Sequence, residues 1–233
     1  IQTSNAEGES IPANGTITIF KLKSPTKVKV RRLWEAPTDP LLSASEFEKL
    51  FPFYDYKSVK EMDKEVEKNV ASLPFNTANK STVTLQTNNW SPGDYKMEVV
   101  TKDAQGKEEK SIQFFTVYST KSTTVAPGQF LSVQSSKTTL EPGQILQIAV
   151  GSSLLNQLIW MEVGMEGKII ERRAITRNNE QKIINYKIEE KHRGGLHFSF
   201  STIKAGDKKV VSIPVNVPYS NKELSVSFET FRN

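Results

Sequence analysis

Acid–base, metal or nucleophilic chemistry in this chain would have to come from a short roster of side chains. Histidine occurs twice, at His192 and His197, and a two-histidine metal site would need both. They stand five apart across Gly194-Gly195, a spacing that fits neither one helical face nor one strand row. Both are therefore expected on the surface, with His197 on the polar side of its strand. There is no cysteine, which removes a thiolate metal site, a cysteine nucleophile, a thioester and any disulfide framework. Glycoside hydrolysis would need two carboxylates converging across a cleft. The adjacent acids Glu108-Glu109 and Glu189-Glu190 each sit at a predicted strand end beside lysine, where solvated charge is the ordinary explanation. No phosphate-cradling glycine loop, Gly-x-Ser-x-Gly elbow or His-Glu-x-x-His pair is present. The sequence thus nominates no catalytic, metal-binding or cofactor-binding residue, and the expectation is a non-enzyme without a cofactor.

Binding would draw on different side chains. Trp34, Trp90 and Trp160 could anchor a sugar or a protein if exposed; Trp90 and Trp160 are expected in or at the edge of a core, and Trp34 is left open. Lysine and arginine number 31 against 26 acids, a formal charge of +5, a modest surplus that could favour acidic partners. The densest basic stretch is Lys21, Lys23, Lys27, Lys29, Arg31 and Arg32. Strand alternation would set Lys27, Lys29 and Arg31 on one solvated outer sheet face, and no stacking aromatics interleave them, so no nucleic-acid partner is expected.

The elements that must carry these residues read as strands. Thr16-Ile17-Thr18-Ile19, Lys27-Val28-Lys29-Val30 and Thr82-Val83-Thr84-Leu85 alternate polar and apolar, as half-buried antiparallel strands do. The same pattern runs through Ile184, Tyr186 and Ile188, then Leu196, Phe198 and Phe200, then Val211, Ile213, Val215 and Val217, and finally Leu224, Val226 and Phe228. Strands at such short intervals favour a sandwich over βαβ units. Pro92-Gly93, Pro127-Gly128 and Pro142-Gly143 match type II turns, in which proline presets φ and glycine supplies φ > 0. One region departs: Val59, Met62, Val66, Val70 and Leu73 form a helical stripe over Ser58 to Leu73, expected to pack on the first domain. Ahead of it, Ser43 and Glu46 form a capping-box signature for a shorter helix carrying Phe47, Leu50 and Phe51. Together they predict a helical insertion at about 41–78. With 233 residues, and a linker candidate from Ser119 to Thr124, two domains are expected, 1–120 and 121–233. No run approaches the roughly 18 apolar residues of a membrane span. Opening on Ile1 without the layout of a secretory signal, the chain is expected to be an excised or processed segment.

The run from Trp90-Ser-Pro-Gly-Asp-Tyr95 through Asp103-Ala-Gln-Gly106 to Phe114-Phe115-Thr-Val117 resembles the closing hairpin of macroglobulin domains: a Pro-Gly-x-Tyr strand, an Asp-x-x-Gly turn and a returning strand. Arg32-Leu-Trp-Glu-Ala-Pro37 with Phe47-Glu-Lys-Leu-Phe-Pro52, and Val217-Pro-Tyr-Ser-Asn-Lys-Glu-Leu224 to Thr230-Phe-Arg232, look like segments of the large alpha-2-macroglobulin-like proteins of Bacteroidetes envelopes. The resemblance runs from about Asn14 to Arg232. It implies an all-β chain of two tandem immunoglobulin- or fibronectin-like macroglobulin sandwiches, the first with the helical insertion. It also implies an extracytoplasmic, periplasmic or cell-envelope location. The family traps proteases by collapse of a ring of domains after bait cleavage, and many members then attach covalently through a Cys-Gly-Glu-Gln thioester. Lacking cysteine and any recognisable bait stretch, this segment departs from the family's active elements. Its expected role is a scaffold whose partners are neighbouring domains of the same longer chain and, through the full-length protein, proteases. The alternative is a glycan- or protein-binding adhesin module using Trp34 and nearby loops.

Overall fold

A computed structural model describes the whole chain except Ala6, Arg31, Ala36, residues 58–63, Ala104, Thr120, Lys121 and residues 221–233. The chain divides into two compact units, Ile1–Gln129 and Phe130–Asn233. Among the described residues the strands form three antiparallel sheets. Among the described residues no helix is long and apolar enough to cross a membrane.

In the first unit, β1 (Asn14–Leu22), β2 (Val66–Asn76), β3 (Gly93–Lys102) and β4 (Glu108–Val117) make one sheet in the order β2-β1-β3-β4. The Thr-Ile-Thr-Ile alternation works as read: Ile17 and Ile19 are buried with Phe75 and Tyr95, and Met97 and Val99 stand half-buried on the same cluster. β3 and β4 are the expected hairpin. Asp103 O accepts from Gly106 N at 3.0 Å, Asp103 Oδ1 accepts from Lys107 N at 2.8 Å, and Gly106 takes φ +80°. Trp90 stacks on Tyr95 at 5.1 Å and 17°, Tyr95 stacks on Phe115, and the Tyr95 hydroxyl donates to Ser91 O. Trp90 is therefore a core-edge residue, as expected.

Three readings of this unit are corrected. The segment from Val66 is not helical but the edge strand β2, paired along β1 with Leu73 opposite Ile17. Residues i and i+4 share a face in a regular strand as well as in a helix, so the spacing of Val66 and Val70 in the sequence does not tell the two apart. The register shifts twice along the pair, between Ile19 and Phe20 and between Lys21 and Leu22, and such bulges break a clean period of two. Pro74 is tolerated because β2 is an edge. The helical stripe's Val59 and Met62 lie outside the described residues. Of the helical insertion, the capped turn survives as α1 (Ala44–Leu50): Glu46 N donates to Ser43 Oγ, Ser43 N donates to Glu46 Oε2, and Phe47 is buried. Second, Lys27–Val30 and Thr82–Leu85 keep their alternation of burial but join no ladder: Val28 and Val30 are buried, while Val83 and Leu85 pack half-buried on the sheet's core. Apolar alternation reports which side chains face inward, and pairing needs a neighbouring strand as well. Third, Pro92-Gly93 opens β3 with Gly93 at φ +150°, opposite Val117, whereas Ala126 to Gln129 and Glu141 to Gln144 close as turns with Gly128 at φ +77° and Gly143 at φ +89°.

The second unit is a two-sheet sandwich. β5 (Ser132–Ser135), β6 (Ile145–Ser152) and β9 (Glu180–Lys187) form the sheet β5-β6-β9. β7 (Gln157–Met165), β8 (Lys168–Arg177), β10 (Leu196–Lys204) and β11 (Asp207–Val215) form β11-β10-β7-β8. Their inner faces meet in one core of Leu146, Ile148, Ile159, Met161, Phe198 and Phe200 with their neighbours. Each such fully buried side chain contributes on the order of 2 kcal/mol by leaving water. Phe198 lies opposite Val163 on one side and Ile213 on the other, so the alternation of Leu196, Phe198 and Phe200 sets the register of the central strand. The predicted strand of Leu224, Val226 and Phe228 lies outside the described residues.

Candidate functional site

The chain leaving β9 buries Ile188 and then folds back over the end of the sandwich in a 3-10 turn, Glu190–His192. Gly194 and Gly195, at φ +93° and +116°, turn it into β10. Only glycine takes such angles without strain, and at Gly195 a Cβ would also lie 2.7 Å from Val215 O. The fold-back is clamped by Arg193. Its guanidinium binds both carboxylate oxygens of Glu190, donates to Pro218 O, and reaches Glu141 Oε2 at 3.4 Å. Ser220 Oγ donates to the same Glu141 oxygen at 2.9 Å. Sequence reasoning gave Arg193 no role.

His192 is the principal correction to the surface expectation: it is only 2% exposed. Its Nδ1 accepts a hydrogen bond from Glu189 N at 3.0 Å, and its own backbone N–H donates to Glu189 O at 2.9 Å. Because a backbone N–H can only donate, Nδ1 carries the lone pair and the neutral ring must hold its proton on Nε2. Nε2 is buried and has no hydrogen-bond partner among the described residues. Burial and the Lys191 ammonium push the His192 pKa down, against a smaller opposing pull from Glu189. The Gly194-Gly195 pair permits a chain reversal at this point, but nothing in the sequence names His192 as the side chain that the reversal buries.

His192 lines a cleft of about 430 Å³ with Met165, Ile170, Arg173, Tyr186 and Lys187. The cleft lies where β8 and β9, each the outermost strand of its sheet, come together along one side of the sandwich. The Tyr186 ring stands 5.8 Å from the imidazole and packs edge-on to Phe198 at 5.0 Å. Burial, with Glu171 adding to it, raises the Tyr186 pKa, so the hydroxyl keeps its proton at neutral pH. The carboxylates at the cleft are matched locally, Glu171 by Arg173 and Glu189 by Lys191 at 2.6 Å. Chemically the arrangement offers hydrogen-bond donors. With its one lone pair occupied, the His192 ring is set up neither to ligate a metal nor to take a proton from a substrate.

The other residues singled out from sequence do not gather here. His197 is exposed on β10, as expected, opposite Gly164 and Pro214. Glu109 is exposed and paired with Lys107. Trp160 is a further correction, being 43% exposed on the outer face of β7. The run Leu158-Ile-Trp-Met161 is apolar on both faces, and only Glu162, two residues after Trp160, marks the outward row. Trp34 is 44% exposed and leans on Tyr54 at 4.8 Å and 57° and on Phe51 at 5.9 Å and 64°. Lys27 and Lys29 join no ladder and so make no sheet face, and Arg31 lies outside the described residues. Lys27 and Lys29 both bind Glu48, at 2.8 and 3.0 Å, Lys21 binds Glu67, Lys23 binds Glu65, and Arg32 donates to Asp55 O and Tyr56 O. Among the described residues no group of three or more His, Asp or Glu could hold a metal ion.

No family model matches the chain, and no curated protein is similar to it at a significant level. Among solved structures it is similar to the crystal structure of murine CEACAM1b, at 14% identity over 88% of this chain and 86% of that one, with a TM-score of 0.27. A likeness that low carries no argument about function.

Proposed function

We propose that the chain is a non-catalytic β-sheet scaffold, an internal segment of a longer macroglobulin-like protein of the bacterial envelope. In this reading it spaces and orients the domains that engage proteases, and its partners are the neighbouring domains. The observation that carries the reading is the hairpin of β3 and β4, in which the Pro-Gly-Asp-Tyr strand, the Asp103-to-Gly106 turn and the return through Phe115 are joined by the Trp90, Tyr95 and Phe115 stack. The hydrocarbon interior of the second unit, filled from both sheets, supports a structural role. The test is to mix the purified chain with several endoproteases and follow their cleavage of a large protein substrate. Unchanged protease activity and no covalent adduct by mass are expected. Stoichiometric loss of activity would replace the scaffold with a direct inhibitor. The adhesin alternative draws less support from Trp34, because the rings beside it are tilted by 57° and 64° and form no flat platform for a sugar face.

A further inference from the structure

The cleft beside His192 has an unspent donor at its wall. Glu189 N–H occupies the only lone pair of the neutral ring, which leaves an Nε2–H closed off from solvent and, among the described residues, without a partner. A buried polar group in that state is costly, and what it lacks is an acceptor. The other uncommitted groups of the cleft agree in sign. Lys187 makes no ion pair and the Tyr186 hydroxyl no hydrogen bond among the described residues, whereas Glu171 and Glu189 are each matched by a neighbouring cation. Met165, Ile170 and the Tyr186 ring supply apolar wall.

We propose that this cleft binds a carboxylate carried on an apolar body, the carboxylate accepting from His192 Nε2–H and from Lys187, and the body lying against Met165, Ile170 and Tyr186. Because Nε2 is covered, binding includes a local opening of the wall beside the imidazole. The inference is independent of the macroglobulin reading, since it rests on the side chains of the second unit alone. A free organic acid and the terminal carboxylate of a peptide present the same chemistry.

The test follows the His192 Nε2–H resonance of the whole 15N-labelled chain by NMR at neutral pH. Phenylacetate stands for a free acid, a short peptide ending in a free phenylalanine carboxylate stands for a chain terminus, and phenylacetamide and the amidated peptide are the matched neutral controls. Either carboxylate should shift the resonance saturably in the low millimolar range or tighter, as a fragment-sized ligand does. The amides should bind roughly tenfold more weakly, the loss of one charge-assisted bond. Replacing the exposed Lys187 by methionine, which leaves the core untouched, should weaken the carboxylates by about the same tenfold factor and leave the amides unchanged. Preference for the peptide would assign a protein partner, and preference for phenylacetate a small molecule. The proposal is overturned if neither carboxylate shifts the resonance, if acids and amides bind alike, or if Nε2–H contacts a water that phenylacetate does not displace.

Discussion

Glu189 and His192 engage each other through both backbone groups of Glu189: its amide donates to Nδ1 at 3.0 Å and its carbonyl accepts from His192 N at 2.9 Å. The reciprocal pair fixes the imidazole as a neutral Nε2–H tautomer and anchors the fold-back that Arg193 then clamps. Protonating Nδ1 would set two donors against each other and bury a charge.

Stability should therefore depend on pH in a defined direction. Burial and Lys191 depress the folded-state pKa of His192 below that of an unfolded histidine. The folded state thus holds fewer protons than the unfolded one in this window, and its stability rises with pH. The contribution is complete above the unfolded pKa of about 6.5 and is lost as pH falls toward the folded value. Urea midpoints of the second unit, measured by its own core probes, should fall as pH is lowered from about 7.5 to about 5.5, roughly one unit either side of that reference. His192→Gln should flatten the dependence; an equally steep dependence in that variant would place the titrating group elsewhere.

The register of β10 can be tested by a paired truncation. Phe198 is fully buried, and Phe198→Ala should cost roughly 3–5 kcal/mol. Trp160, on the outer face, should cost less than about 1 kcal/mol when changed to alanine. Equilibrium urea unfolding measures both, and a reversed order would invert the assignment of inner and outer faces.

Glycines separate steric from conformational demands. At Gly15 a Cβ would lie 2.2 Å from Val100 O and 2.6 Å from Phe75 Cε1, so Gly15→Ala must push β1 off β3. It should cost about 1–3 kcal/mol or more and speed amide exchange along both strands. Gly106, at φ +80° with open space around it, should show only the left-handed penalty of about 1–2 kcal/mol on change to alanine. Equal exchange profiles for the two variants would refute the close approach at Gly15.

Where local chemistry and tertiary context agree, these elements are legible in the sequence. The Ser43 and Glu46 box specifies α1 by itself, the Asp103 to Gly106 turn specifies its hairpin, and Phe198 and Phe200 name the core strand of the second unit. Residues 66–73 misled because Val66 and Val70 satisfy two periodicities at once, and pairing with β1, a contact distant in the chain, decided between them. The alternations at 27–30 and 82–85 correctly named the inward valines but said nothing of whether a strand lay beside them. His192 was hidden for a related reason: its burial comes from a chain reversal, and its neighbour in space, Tyr186, is set by the sandwich rather than by its own flanks.

The basic stretch from Lys21 to Arg32 offers one more check. With Lys21, Lys23, Lys27 and Lys29 each bound to a carboxylate, the chain should not retain duplex DNA at physiological salt. Salt-dependent binding whose slope decreases when Lys27 and Lys29 are neutralised would show that the pairs yield to phosphate.

The most direct measurement is a pH titration of His192 by 15N-detected NMR in the ligand-free chain. The buried-donor account predicts the Nε2–H tautomer at neutral pH, a slowly exchanging Nε2 proton, and a midpoint below the ordinary histidine value of about 6.5. A midpoint for His192 at or above about 6.5, with its ring proton lost to rapid solvent exchange, would return His192 to the surface and remove the basis of both the fold-back clamp and the carboxylate site.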